Sequence, residues 1–187
     1  MSSKTVNTLN DPSAFDRDGL FIGIDLSMTD TGLVVMHEDR SVVQAVSIKT
    51  KPADGLDDTR AAIIVEKILD IVTPYTDDAH VYICIEDIPF SRNATGKLFT
   101  RYGIFATLKY LLRKAGIETY VVGATTLKNK FAGKGTAKKD AVIAAIFQKY
   151  KLTIKNDNIA DAFAAASVLI SYKREKLKLN ISKIPME

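Results

Sequence analysis

Cysteine is almost absent from this sequence, which contains a single one, Cys84. One thiol forms no disulfide within a chain and cannot build a thiolate metal cluster, so a disulfide scaffold and a cysteine-rich zinc site are both excluded. Cys84 lies in the apolar segment VYICIE, which predicts a buried and inert thiol.

Long apolar runs and targeting patterns are also missing. No segment approaches the roughly 20 apolar residues that span a bilayer, so we expect no membrane partner. The polar start, MSSKTVNTLNDPSAFDRDG, resembles neither a secretory signal nor a transit peptide. We therefore expect a cytoplasmic protein with a flexible N-terminal arm over residues 1–19.

The size and charge of the chain suit one soluble domain. Its 187 residues, 47% of them hydrophobic, are enough to bury a substantial core. We expect that domain to cover residues 20–173 and a basic tail to cover 174–187. The net charge of +4 permits an acidic partner such as nucleic acid without requiring one.

The apolar pattern predicts five strands and four helices. Short runs rich in β formers predict strands at 20–26, 32–36, 41–48, 80–89 and 118–123, and helical periodicity predicts helices at 56–72, 97–114, 137–150 and 158–173. Pro74 is expected to end the first helix, and the lysine-rich segment TLKNKFAGKGTAKKD is expected to be a loop. This order predicts an α/β fold, a mixed five-stranded sheet with helices on both faces.

Two carboxylates close predicted strands. Asp25 ends the first strand and Glu86 ends the fourth. Ligands of open α/β sheets bind beyond the carboxyl ends of the strands, and neighbouring strands lie about 4.8 Å apart. Both side chains could therefore share a divalent ion or hold a pair of ions.

The last helix adds further candidate ligands. Asp161 lies in the apolar segment IADAFAAAS, where an unpaired carboxylate is costly to bury, so it is expected to bind a cation. Asp157 and Asn158 are spaced to share its helix face. Either one is also an ordinary helix N-cap, and each carboxylate taken singly has a structural explanation.

Lysines cluster between the fifth strand and the last two helices. Such a run is often only solvated, but beside acidic motifs it also suits contact with DNA phosphates. Its members are Lys128, Lys130, Lys134, Lys138 and Lys139.

Four ordered segments resemble the RuvC family of Holliday junction resolvases, within the RNase H-like superfamily. They are FIGIDLSMTDTGLVV, CIEDIPFSRNATGKLF, TLKNKFAGKGTAKKDAV and NDNIADAFAAAS, and the likeness runs from about residue 20 to 172. The N-terminal arm and motif spacing would suit a phage-type member, acting in a bacterial cell or an infected host.

The resemblance implies an RNase H-like fold, a homodimer, one or two Mg²⁺ or Mn²⁺ ions per site, and paired nicks across a four-way DNA junction. It matches Asp25, Glu86 and Asp161 to acidic ligands of the family. Asn158 stands where the family usually has another aspartate, with Asp157 one place earlier. An asparagine oxygen can bind Mg²⁺ but lacks the charge, so either residue is left as the fourth ligand.

The same resemblance implies DNA contacts. Lys128 and Lys139 match basic positions near the scissile phosphate, where an ammonium could stabilise developing charge. Phe90, offset by one residue from the family's aromatic, could stack on a base, with Arg92 and Asn93 beside it. The apolar-rich helix 97–114 offers a face for dimerisation.

Three other functions remain open from the sequence. A nuclease acting on another branched DNA or on an RNA/DNA hybrid would use the same carboxylates. A non-catalytic junction-binding module is compatible with Asn158. GIDLSMTDTG also resembles the first phosphate loop of actin and sugar-kinase ATP-binding proteins, but those need two core domains, for which 187 residues leave no room.

Overall fold

The computed structural model describes residues 19–77, 79–88, 96–175 and 177–185, apart from the side chains of Lys97 and Lys139. The strands are β1 (Leu20–Asp25), β2 (Asp30–Met36), β3 (Val42–Lys49), β4 (Val81–Glu86), β5 (Glu118–Val122) and β6 (Ile181–Lys183). The helices are α1 (Asp57–Thr76), α2 (Gly96–Lys114), α3 (Ala124–Ala132), α4 (Lys139–Tyr150) and α5 (Asp157–Lys173). Within the described ranges, no helix has the length and apolar character needed to cross a bilayer.

The strands form one mixed sheet in the order β3-β2-β1-β4-β5-β6. β2 is antiparallel to β1 and β3, whereas β4 is parallel to both β1 and β5. The predicted α/β class is confirmed, but the count of five strands is wrong. β6 adds a sixth strand, antiparallel to β5, from within the segment predicted as a basic tail. Its three residues are too short and polar for the apolar pattern to predict a strand.

Helices cover both faces of the sheet, and residues of each strand alternate between two apolar clusters. One cluster joins β1 residues such as Ile22 and Ile24 to buried side chains of α1 and α2. The other joins Phe21 and Cys84 to α3, α4 and the alanine-rich α5. Cys84 is buried as predicted, and both its burial and the nearby Glu86 raise the pKa of its thiol.

Two predicted boundaries are wrong. Residues 126–132 of the lysine-rich segment belong to α3, because Leu127 packs into the core and Gly133 ends the helix in the left-handed conformation. Pro74 lies inside α1 rather than after it. A proline in the final turn removes only one helical hydrogen bond, and α1 is held by its apolar face, which includes Ile64, Ile68 and Val72.

Candidate active site

Asp25 and Glu86 lie side by side at one edge of the sheet. β1 and β4 are parallel neighbours, paired up to the residue before each carboxylate. Side chains of a strand alternate between its faces, so Asp25 shares a face with Phe21, and Glu86 shares the same face of the sheet with Cys84. Both carboxylates therefore lie on the face that α5 covers.

Two glycines let α5 lie directly against the sheet. A Cβ atom at Gly23 would lie 1.8 Å from the carbonyl oxygen of Ala162, and one at Gly32 would lie 2.1 Å from that of Asn158. Because the opposing atoms are backbone, no side-chain rotation would relieve the clash. This close approach brings Asp161 to the strand ends.

The start of α5 is anchored to β2 through Asn156. Its side-chain oxygen accepts hydrogen bonds from the backbone N–H groups of Asn158 (2.8 Å) and Ile159 (3.2 Å), so Asn156 is the N-cap. The predicted N-cap at Asp157 or Asn158 is therefore wrong by one or two residues. The Asn156 amide donates to Asp30 at 3.0 Å, and Asp30 also accepts from Ser47. The sequence pattern does not predict this anchoring role of Asp30.

Three carboxylates converge at this edge. Asp25, Glu86 and Asp161 each place a carboxylate oxygen within 4.8 Å of the others. Asp25 is 7% exposed, and the other two are half-buried. Like charges this close disfavour one another, and a divalent cation offsets that repulsion.

The donor set fits a hard divalent cation. Carboxylate oxygens are the ligands preferred by Mg²⁺, Mn²⁺ and Ca²⁺. Octahedral ligands at about 2.0–2.1 Å from Mg²⁺ lie roughly 3–4 Å apart, so small side-chain rotations would bring these oxygens into one coordination shell.

The carboxylates lie in a cleft of about 290 Å³. Asn158 lines this cleft, whereas Asp157 is exposed and is not among the lining residues. The structure thus separates the two residues that the sequence left as alternatives. The complete lining is Asp25, Leu26, Ser27, Glu86, Arg101, Ala124, Leu127, Lys128, Val142, Asn158 and Asp161.

The predicted basic residues occupy different places. Lys128 lines the cleft from α3, and Lys138 is the N-cap of α4, one turn before the cleft residue Val142. Lys130 instead approaches Glu175 at 3.9 Å, and burial lowers the pKa of its ammonium group. Lys134 is exposed between α3 and α4.

Some predicted DNA contacts lie outside the described residues. Phe90, Arg92 and Asn93 belong to segment 89–95, and the side chain of Lys139 is likewise outside the description. Their roles stay predictions.

Two arginines that the motifs do not single out fix the loop after β1. Arg60 Nη2 donates to the carbonyl oxygen of Met28, and Arg101 Nη2 donates to that of Leu26, each at 2.8 Å. A usable sequence signal exists, because each arginine falls on the apolar stripe of its amphipathic helix. A charge at a core position indicates a specific partner.

Fold and site together define an RNase H-like α/β protein with an acidic cluster suited to a divalent metal. A family model described as crossover junction endodeoxyribonuclease RuvC matches residues 21–169. The chain belongs to the RuvC family, whose members are hydrolases acting on phosphodiester bonds. No curated protein sequence gives a significant match.

Similar solved structures agree on the fold. Thermus thermophilus RuvC in complex with a Holliday junction substrate is 19% identical with a TM-score of 0.70, covering 83% of this chain and 95% of that one. Another T. thermophilus RuvC structure is 21% identical with a TM-score of 0.67, covering 88% and 99%. The yeast mitochondrial Holliday junction resolvase Ydc2 is 12% identical with a TM-score of 0.51, covering 86% and 82%.

Proposed function

We propose that this chain resolves four-way DNA junctions by metal-dependent hydrolysis of phosphodiester bonds, using the domain of residues 20–173, and that it does so in the cytoplasm. The observation that carries the proposal is the convergence of three carboxylates within 4.8 Å in a chain of the RuvC family. The fold similarity to a RuvC structure whose title names a Holliday junction substrate supports a branched DNA.

Asp25, Glu86 and Asp161 are the proposed ligands of one or two Mg²⁺ or Mn²⁺ ions. Bound there, such ions would lower the pKa of an attacking water and neutralise charge on the attacking and leaving oxygens. The carboxylates would fix where such ions lie, because α5 and the two strand ends hold them in the cleft.

Asn158 is the proposed fourth ligand, through its side-chain oxygen. Its place in the cleft lining supports it over the exposed Asp157. A neutral ligand leaves the site with less negative charge, so we expect a weaker affinity for the metal than four carboxylates would give.

Basic residues beside the cleft are the proposed phosphate contacts. Lys128 lines the cleft and could stabilise charge developing on the scissile phosphate, and Lys139 is proposed for the same task. Further contacts to the junction backbone and bases are assigned by resemblance to Phe90, Arg92, Asn93, Lys130, Lys134 and Lys138.

A homodimer is proposed because paired nicks need two active sites. An exposed stripe of α2 supports it: Phe99 is 68% exposed and Tyr110 62%, with exposed Gly103 and Ala106 between them. The spacing of four, three and four residues is that of a helix-pairing seam, and the small central residues would let two helices approach closely.

Ala106→Glu tests this seam by placing a charge at its centre. We expect the wild type to sediment as a dimer at micromolar concentration and the variant to become a monomer that nicks one strand at a time. Phe147→Glu is the matched control, since Phe147 is also exposed but lies on α4. A monomeric wild type would contradict the dimer.

Cleavage assays test the function directly. The wild type and Asp25→Asn are incubated with a labelled four-way junction, a linear duplex and an RNA/DNA hybrid, in Mg²⁺, Mn²⁺ or EDTA. We expect paired, metal-dependent nicks in the junction alone and a loss of at least about 100-fold in Asp25→Asn, because a metal contributes several kcal/mol to the transition state. Asp70→Asn, an exposed aspartate of α1, is the control.

Each other result has a definite meaning. Cutting of the hybrid in preference to the junction would show that the substrate is an RNA/DNA hybrid. Junction binding without cutting in either metal would make the chain a non-catalytic binding module.

A further inference from the structure

Arg101 brings a positive charge into the cleft from α2. Its Nη2 atom donates a hydrogen bond to the carbonyl oxygen of Leu26, the residue after Asp25, at 2.8 Å. Arg101 also lines the cleft that contains Asp25, Glu86 and Asp161. Its guanidinium group therefore lies beside the proposed metal ligands, at the end of β1.

Arg60 and Arg101 fix the same loop but use their nitrogen atoms differently. Arg60 is buried and donates through Nε, Nη1 and Nη2, to a hydroxyl, a carboxylate and a carbonyl oxygen. Within the described part of the chain, Arg101 has a single hydrogen-bond partner, Leu26, and forms no ion pair. Its Nε atom is buried and has no partner.

The fixed loop does not account for the rest of the Arg101 side chain. Holding one carbonyl oxygen requires a single N–H group and no positive charge. A guanidinium presents five N–H donors in a planar fork that matches the oxygens of a phosphate group. The carboxylates of the cleft already supply opposite charge, and a phosphodiester bound there would add hydrogen-bond acceptors for N–H groups of Arg101 that neither the Leu26 contact nor burial takes up.

We propose that Arg101 contacts the phosphate that is cut, donating to a non-bridging oxygen while Nη2 stays bonded to Leu26. This assignment rests on the proposed function, because it adds a substrate contact to the same site. As charge develops on the phosphate oxygens in the transition state, the fixed guanidinium stabilises it. Arg101 would contact the negatively charged phosphate, whereas the carboxylates would hold the metal cation.

Single-turnover and steady-state cleavage of a junction test the contact. Arg101→Met removes the charge, and we expect kcat to fall by about 100-fold with KM within about threefold. Arg101→Lys keeps the charge without the fork, and we expect a smaller loss, about tenfold. Arg174→Met is the control for losing one arginine, since Arg174 pairs with Glu38 at the C-terminal end of α5, away from the cleft.

Chemical rescue shows whether a variant of Arg101 loses activity because the positive charge is missing or because the protein is misfolded. Guanidinium ion at millimolar concentration should restore part of the activity of Arg101→Ala, whereas urea, which has a similar planar shape and no charge, should not. A kcat of Arg101→Met within threefold of the wild type, or equal effects of guanidinium and urea, would overturn the proposal.

Junction binding without cleavage gives an independent readout. In EDTA, we expect Arg101→Met to lower the slope of log Kd against log salt by about 1, as loss of one phosphate contact does, and Arg174→Met to leave it unchanged. A wild type that binds but cuts nothing would defeat the proposed function, while the slope still decides the Arg101 contact. An unchanged slope would show that Arg101 makes no contact with a phosphate.

Discussion

Both ends of the parallel strands hold carboxylates, but their surroundings differ. At the carboxyl ends, three carboxylates crowd a cleft whose lining has two cationic side chains, Lys128 and Arg101. At the amino ends, the carboxylate of Glu118 accepts hydrogen bonds from Tyr120 and from Lys173, at 2.8 Å, and pairs with Lys183 at 3.2 Å.

At the amino ends, lysines of the chain itself balance the negative charge of Glu118. Burial raises the pKa of Glu118, but hydrogen bonds from Lys173, Tyr120 and Lys183, with the charge of Lys173, outweigh it and lower the pKa to about 2. Lys173 also lies 3.9 Å from the centre of the Tyr82 ring. A carboxylate with its own cations stabilises the fold, whereas an excess of carboxylates indicates a place for a cation from outside.

α5 connects the two ends, since it carries both Asp161 and Lys173. Gly23→Ala should disturb both, because its Cβ atom would lie 1.8 Å from the carbonyl oxygen of Ala162 in the middle of the helix. We expect the free energy of unfolding to fall by about 3 kcal/mol or more, as for severe overpacking, and junction cleavage to be lost. Urea unfolding followed by circular dichroism measures the first effect.

The control for that variant is Gly123→Ala. Gly123 has a φ of −74° and open space where a Cβ atom would lie. We expect its free energy of unfolding to change by no more than about 1 kcal/mol. If Gly23→Ala were as stable as this control, α5 would not depend on close contact with β1.

Glu118→Gln removes the charge at the amino ends and leaves the cleft untouched. At pH 7, we expect a loss of about 1–3 kcal/mol in the free energy of unfolding, because two lysines lose their partner. Cleavage at a temperature well below the melting point should persist.

The effect of Glu118→Gln should depend on pH in one direction. The pKa of Glu118 is about 2 in the fold, below its ordinary value of 4.5, so its stabilisation is present above about pH 4.5 and is lost as the pH falls towards 2. The gap in unfolding free energy between wild type and variant should therefore narrow over that range. Glu66→Gln, an exposed residue of α1, is the control, and a gap that stays constant with pH would contradict the assignment.

The carboxyl-end cluster was largely predictable from the sequence. Asp25 and Glu86 end apolar strands, and the two periodicities of strand and helix suffice to place them at one edge. Asp161 is recognisable because a charge inside an alanine-rich helix needs a partner. The prediction of α5 beginning one residue later than observed did not alter this, because the helix face stays the same.

The amino-end cluster and the loop contacts were not predictable, because they depend on pairs distant in sequence. Glu118 and Lys173 are 55 residues apart, and Arg101 and Leu26 are 75 apart. Local sequence patterns do not show which residues of two such distant segments lie next to each other. The same limit applies to β6, whose partner strand ends about 60 residues earlier, and which no apolar pattern marks.

Asn158→Asp should adjust the charge of the cleft by one unit while keeping its shape, because the two side chains are nearly isosteric. With a fourth carboxylate, we expect the apparent Kd for Mg²⁺ to fall by about three- to tenfold, since ligand charge tunes metal affinity. Without metal, added repulsion should lower the melting temperature by a few degrees. Thermal unfolding in a Mg²⁺ titration measures both, because a ligand that binds only the folded state stabilises it in proportion to ln(1 + [L]/Kd).

Asp157→Asn distinguishes the two candidates for the fourth ligand. Asp157 is exposed outside the cleft lining, so its loss of charge should leave the Mg²⁺ titration unchanged. If Asp157→Asn weakened Mg²⁺ binding and Asn158→Asp did not strengthen it, the fourth ligand would be Asp157. The start of α5 would then have to shift on metal binding, against the hydrogen bond that holds Asn156 to Asp30.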